Sequence, residues 1–298
     1  MESIEKSNRL ELHYFFKDES HSINSLLRNE CEKEILYIFK DISETLGLKL
    51  DLETLPPEEG GFVETWKFIG ENSPQITLLV SVATLIISRF PVQNKELTKL
   101  QIENLKLDNE IKKKELEKLN LEFLQDEKDI TKEIITDTVN LVNKNYKVSW
   151  RKSNFYKKLN IYPKMESIEF LRYQDDKPIG KPRKTKKSEF SNFILNSDDL
   201  PDIDYEKVTI DVISPALKGG NFKWKGFYNK EIINFLMNDV IFKDKVLNGK
   251  IRFSNRFSIE VQMTQERKIN QDGNIIVTNS IVHKVIASIE GDKRIVYS

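Results

Sequence analysis

The chain has 298 residues, 39% of them hydrophobic and 32% charged, and its formal net charge is zero. That length allows two ordinary domains and a connector, and the zero balance excludes a bulk attraction of the whole molecule to nucleic acid. A single cysteine, Cys31, excludes an internal disulfide framework, and "MESIEKSNRL" lacks the apolar core of a secretory signal, so a cytoplasmic location is expected.

Zero net charge conceals segregation. Residues 1–143 hold 18 basic and 28 acidic side chains, residues 144–187 hold 14 basic and 4 acidic, and residues 188–206 hold six acids and no base. Blocks of this kind mark surfaces that attract each other or a partner.

In chain order, "LELHYFF" (10–16) alternates as a strand, and a helix is expected from about Ile23 to Leu46, with Gly47 as its stop. "LKLDLETL" alternates again. "PPEEGG" breaks the chain, and "FVETWKFIG" reads as a short amphipathic helix. Two strands separated by a helix suit a parallel pair with a crossover, to be completed by a later strand or a partner subunit. Residues 76–90, "ITLLVSVATLIISRF", form an apolar helix between Pro74 and Pro91. Fifteen residues span about 22 Å, short of a ~30 Å hydrocarbon core. Thr77, Ser81, Thr84 and Ser88 share one stripe of that helix, which suits close packing against other helices or across a subunit interface. Association with a membrane is the other reading.

Residues 93–128, rich in Lys, Glu and Leu and free of Gly and Pro, read as one long helix. Ile102, Leu105, Asn109, Lys112, Leu116, Leu119 and Phe123 are spaced as a heptad seam. It either packs on its own domain or self-associates into a homo-oligomeric coiled coil. Another helix is expected at roughly Ile130–Asn143. Residues 147–206 read as a connector with one strand, "SIEFLRYQ", a basic loop, "KPIGKPRKTKKSEF", and an acidic loop, "LNSDDLPDIDYE". From 207 to 298 the pattern is all β, with "VTIDVI", "FKWKGFY", "EIINFLM", "KIRF", "FSIEVQMTQERKI" and "IIVTNSIVHKVIASI" as strands. Asp272-Gly273 closes a hairpin, and a small antiparallel barrel follows from so many short strands. The fold class is α+β: an α/β region at 8–92 including the apolar helix 75–90, a long-helix region at 93–146, the connector, and a β domain at 207–298.

"HSINSLLRNECEKEIL", "PPEEGG" with its following aromatic segment, and "FKWKGFYNKEIINFLMND" together resemble an uncharacterised bacterial family that pairs an α/β region, a long Lys/Glu helix and a C-terminal barrel. The resemblance implies an association with anti-phage defence or mobile elements and carries no catalytic residues.

Chemical motifs are few. His13, Asp18, Glu19 and His21 lie close in sequence without zinc spacing, and Asp18 and Ser20 suit helix capping. Acidic neighbours keep the Cys31 thiol protonated. Asp239 with Glu260 and Gln262 has the outline of a nuclease metal site, shared by many hairpins. No catalytic residue, cofactor or metal is assigned. The basic segment interleaves cations with aromatics, the composition of a single-strand binder. Its candidate contacts are Lys147, Trp150, Arg151, Lys152, Lys157, Lys158, Lys181, Arg183, Lys184, Lys186 and Lys187. The competing reading places those aromatics in a core and those cations against the acidic half. Function is expected to be oligomerisation and recognition without catalysis, the β domain binding a partner or ligand. A membrane-perturbing effector and a nucleic-acid binder are the alternatives.

Overall fold

A computed structural model describes residues 5–18, 20–49, 51–56, 62–70, 72–92, 130–218, 220–254 and 256–297. The long-helix seam at Ile102, Leu105, Asn109, Lys112, Leu116, Leu119 and Phe123 lies outside them. The chain divides into two compact units, Met1–Ser197 and Asp198–Ser298.

In the first unit, β1 (Arg9–Phe16) is the centre of a five-stranded sheet with β2 (Asp51–Leu55), β3 (Phe62–Ile69), β4 (Met165–Gln174) and β5 (Lys177–Lys186), in the order β2-β3-β1-β4-β5. Every pairing is antiparallel, so the parallel crossover expected from the sequence is not formed. "FVETWKF" is β3 and not a helix: Trp66 and Phe68 alternate into the core beside Leu10, Leu12 and Tyr14, and the sheet position overrides the weak helical pattern. The basic loop is also a strand, β5. Its Pro178 and Pro182 are tolerated because it is an edge, where one side of the backbone needs no ladder partner.

Helices α1 (Ser25–Leu46), α2 (Ser73–Arg89), α3 (Lys132–Asn143) and α4 (Tyr146–Ile161) share one core with the sheet. Asn24 caps α1 by accepting from Leu26 and Leu27 N–H, and Gly47 ends it in the left-handed conformation. The expected connector is therefore replaced by a core helix, two strands of this sheet and the start of the next unit.

The apolar run is α2. It is buried from Ile76 to Ser88 except at Leu85. Among the described residues no helix is long and apolar enough to cross a membrane. Its stripe of small residues meets polar groups of the same unit. Thr77 Oγ1 accepts from Ser7 N–H at 3.1 Å, and Ser81 Oγ accepts from Arg172 Nη1 at 2.6 Å. Thr84 and Ser88 donate to the carbonyls of Val80 and Thr84 one turn back.

The second unit contains β6 (Asp199–Ser214), β7 (Trp224–Tyr228), β8 (Glu231–Met237), α5 (Val240–Leu247), β9 (Phe257–Ile269), β10 (Ile275–Glu290) and β11 (Lys293–Val296). Strands pair β6-β7-β8-β10-β9, and β9 returns to β6, closing a five-stranded barrel. All pairs are antiparallel except β8–β10. Counting from β6, the order around the barrel is first-second-third-fifth-fourth, with a helix between third and fourth. That is the connectivity of the OB barrel. The core holds Trp224, Phe235, Phe242, Ile259, Val261 and Val282.

Three expectations change here. The acidic loop is the first half of β6, held to β9 by Asp204 accepting from Thr264 at 2.7 Å and Glu206 from Gln262 at 3.4 Å. "KIRF" is not a strand. The β domain also contains α5, capped by Asp239, whose Oδ1 accepts from Phe242 N–H. The hairpin at Asp272-Gly273 forms as expected: Asn270 Oδ1 accepts from both Asp272 and Asn274 N–H, and Gly273 has φ +83°.

Candidate nucleic-acid interface

On β7, period-two alternation sends Trp224 and Gly226 inward and Lys225 and Phe227 outward. Glycine at 226 is required by space: a Cβ there would collide with Ile210 Cγ2 and lie 3.1 Å from both Asp211 O and Phe235 Cε1. A two-residue turn, Asn229 and Lys230 at φ +49° and +67°, returns the chain into β8. The register sets Phe227 opposite Ile232 and Lys225 opposite Asn234. Phe227 is 42% exposed, Ile232 59%, and Phe222, in the loop leading into β7, 56%. Phe227 and Ile232, exposed side by side, are what a stacking platform needs.

Cations flank those side chains along the sequence. From Val212 to Lys230 there are four lysines, Lys218, Lys223, Lys225 and Lys230, and no acid. All four are exposed, and none is in an ion pair among the described residues. Elsewhere in the barrel Glu260 takes Arg294 at 2.5 Å and Lys207 at 3.4 Å.

A groove adjoins the patch. β8 and β10 pair only at Leu236–Met237 with Ile281–Val282. Before that point the strands part, leaving a cavity of about 600 Å³ lined by Tyr205, Tyr228, Ile232, Asn234, Gln265 and Asn279, among others. Tyr205 and Tyr228 meet edge to face at 5.9 Å, and Tyr205 Oη donates to Gln265 Oε1 at 3.2 Å. Burial, then the neighbouring Tyr205, holds the Tyr228 phenol above its ordinary pKa. Asn279 Oδ1 is buried without a hydrogen-bond partner, leaving an acceptor for a ligand N–H.

The residues singled out from the sequence divide differently. Trp150, Arg151 and Lys152 are buried in the first unit. Arg151 Nη1 pairs with Glu34 Oε2 at 3.2 Å and Lys158 with Oε1 at 2.7 Å. Lys152 Nζ donates to Phe90 O at 2.6 Å, and burial pushes its pKa down to about 7. Lys147 and Lys157 are half-buried on the same helix. Lys187 donates to Tyr162 O, and Lys184 lies 4.4 Å over the Phe15 ring. Lys181 and Lys186 are exposed on β5, and Arg183 is half-buried. The helical half of this segment thus supports the core, while its strand half keeps exposed cations.

The other motifs serve structure. Asp239 Oδ2 accepts from Val285 N–H at 2.8 Å while Oδ1 caps α5, so both oxygens are used. His13 stacks on Phe15 at 4.3 Å, and burial lowers its pKa. Burial raises the Cys31 thiol far above its usual range. Among the described residues no group of three or more His, Cys, Asp or Glu could hold a metal ion.

Sequence reasoning takes "FKWKGFY" only as a strand and misses the β7 site; the signal that could have found it is "LKGGNFKWKGFYNK", with lysines and aromatics interleaved and no acid between them. Its location on the second strand of a closed barrel could not be read there, because that depends on pairing with β6 and β8. Comparisons with protein-family models, curated proteins and solved structures returned no match to this chain.

Proposed function

We propose that this is a non-catalytic binding protein whose C-terminal barrel takes single-stranded nucleic acid across β7 and β8. The observation that supports the reading best is the coincidence of two features on the same strands. The second and third strands of an OB barrel and the loop before the second are where such barrels receive oligonucleotides. In this chain those elements carry four lysines without paired acids and three exposed apolar side chains, Phe222, Phe227 and Ile232. Lysines neutralise phosphates, Phe222 and Phe227 stack on bases, and the adjoining groove has room for an unstacked base. Fluorescence anisotropy with single-stranded DNA and RNA of mixed sequence tests this. Binding that weakens steeply with salt is expected; no binding at low salt overturns the reading.

A further inference from the structure

The first unit holds a concentration of positive charge, at Arg89, Arg172 and Arg183, that is in no ion pair among the described residues. Arg183 pairs across the sheet with Phe170, which is fully buried, so the two share the face covered by the helices. Arg172, two residues beyond Phe170, is on that face too, its Nη1 on Ser81 of α2. Arg89 occupies the last turn of α2, two turns beyond Ser81.

These charges act on one another. Arg172 is lowered in pKa first by burial and then by Arg183, and Arg183 first by burial and then by Arg89. The exposed Glu5 bears on Arg172, after burial and Arg183. Among the described residues no carboxylate pairs with Arg89 or Arg183. The contrast within the same unit is Arg151, buried against Glu34. The negative end of α2 does not account for Arg183, since Tyr156 Oη already donates to Ile87 O and Lys152 to Phe90 O. Arg172 and Arg183 are half-buried like charges with no ion pair among the described residues, an arrangement that is costly unless an anion joins them.

We propose that Arg89, Arg172 and Arg183 form a binding site for a phosphate group. Guanidinium forks match phosphate oxygens two at a time, and several together suit a compact dianion better than a single carboxylate. The phosphate can come from a small molecule or from a nucleic-acid backbone. This site lies in the first unit and does not depend on the barrel reading.

The test is thermal unfolding of the full chain at constant ionic strength, in chloride, sulfate, phosphate and pyrophosphate at about 10 mM, with oligonucleotide binding measured in parallel. The expected result is a higher Tm in phosphate or pyrophosphate. Arg183→Gln should lose that response, with affinity reduced at least about tenfold, yet be no less stable than wild type in chloride, since removing one of three like charges relieves repulsion. Arg89→Gln, at an exposed position, provides a second variant that folds. If only oligonucleotides respond, and the response falls in Arg183→Gln but not in Lys225→Gln, the phosphate is that of a nucleic-acid backbone. An equal shift in sulfate that survives both substitutions would overturn the site. So would no response to any phosphate, or an Arg183→Gln protein that is less stable in chloride with its phosphate response intact. Because the barrel substitutions lie in the other unit, their failure and the failure of this site are read separately.

Discussion

Removing charge and removing stacking from the barrel face should have separable effects on oligonucleotide binding. If Lys218, Lys223, Lys225 and Lys230 each contact a phosphate, log K falls against log salt with a slope of about −2.8, since a single strand releases about 0.7 counterion per contact. Between about 50 and 200 mM salt that is roughly a 50-fold loss of affinity. The double substitution Lys223→Gln/Lys225→Gln should halve the slope to about −1.4. Phe227→Ala should instead weaken binding by about 1–3 kcal/mol at every salt concentration and leave the slope unchanged. Lys225 and Phe227 are exposed on the outer face of β7 and Lys223 is exposed in the loop before it, so folding should be unaffected. Anisotropy titrations over a salt series, with thermal unfolding as the control, read both quantities. A slope unchanged by the lysine pair, together with a neutral Phe227→Ala, would refute the argument and move any binding to another surface, such as the exposed lysines of β5.

Three further outcomes test the packing. Glu34→Gln should destabilise the protein by about 3–5 kcal/mol, because Arg151 loses its buried carboxylate; chemical denaturation measures it, and adding Arg151→Met should recover part of the loss. Gly226→Ala should cost about 1–3 kcal/mol through the collision with Ile210, read as a lower Tm. Lys152, at about 7 in the folded chain, is protonated in the unfolded chain up to about pH 10. Stability should therefore rise with pH above 7, by up to ~1.4 kcal/mol per pH unit, and that gain is absent below 7. Lys152→Met should remove this slope in denaturation at about pH 6, 8 and 9.5, and an unchanged slope would assign it to another group.

Local signals were legible where short-range chemistry decides. The α1 stop at Gly47, the hairpin at Asp272-Gly273 and the apolar α2 each follow from a few neighbouring residues: a left-handed cap, an Asn270 side chain folding the turn, and a continuous apolar run. An α+β chain with a small C-terminal barrel was legible for the same reason, from strand alternation and turn residues.

What the tertiary structure alone decided are the elements whose partners lie far along the chain. β3 was mistaken for a helix because its aromatics gain their core only between β1 and β2. α4 was hidden in a basic segment because Arg151 and Lys158 are neutralised by Glu34, more than a hundred residues away. β5 carries two prolines that a central strand could not accept, and the acidic half of β6 looks like a loop until β9 pairs with it. Sequence specified which side chains alternate and where the chain turns. Which alternate face becomes buried, and which keeps its lysines and aromatics in water, depended on long-range pairing and the closure of the barrel.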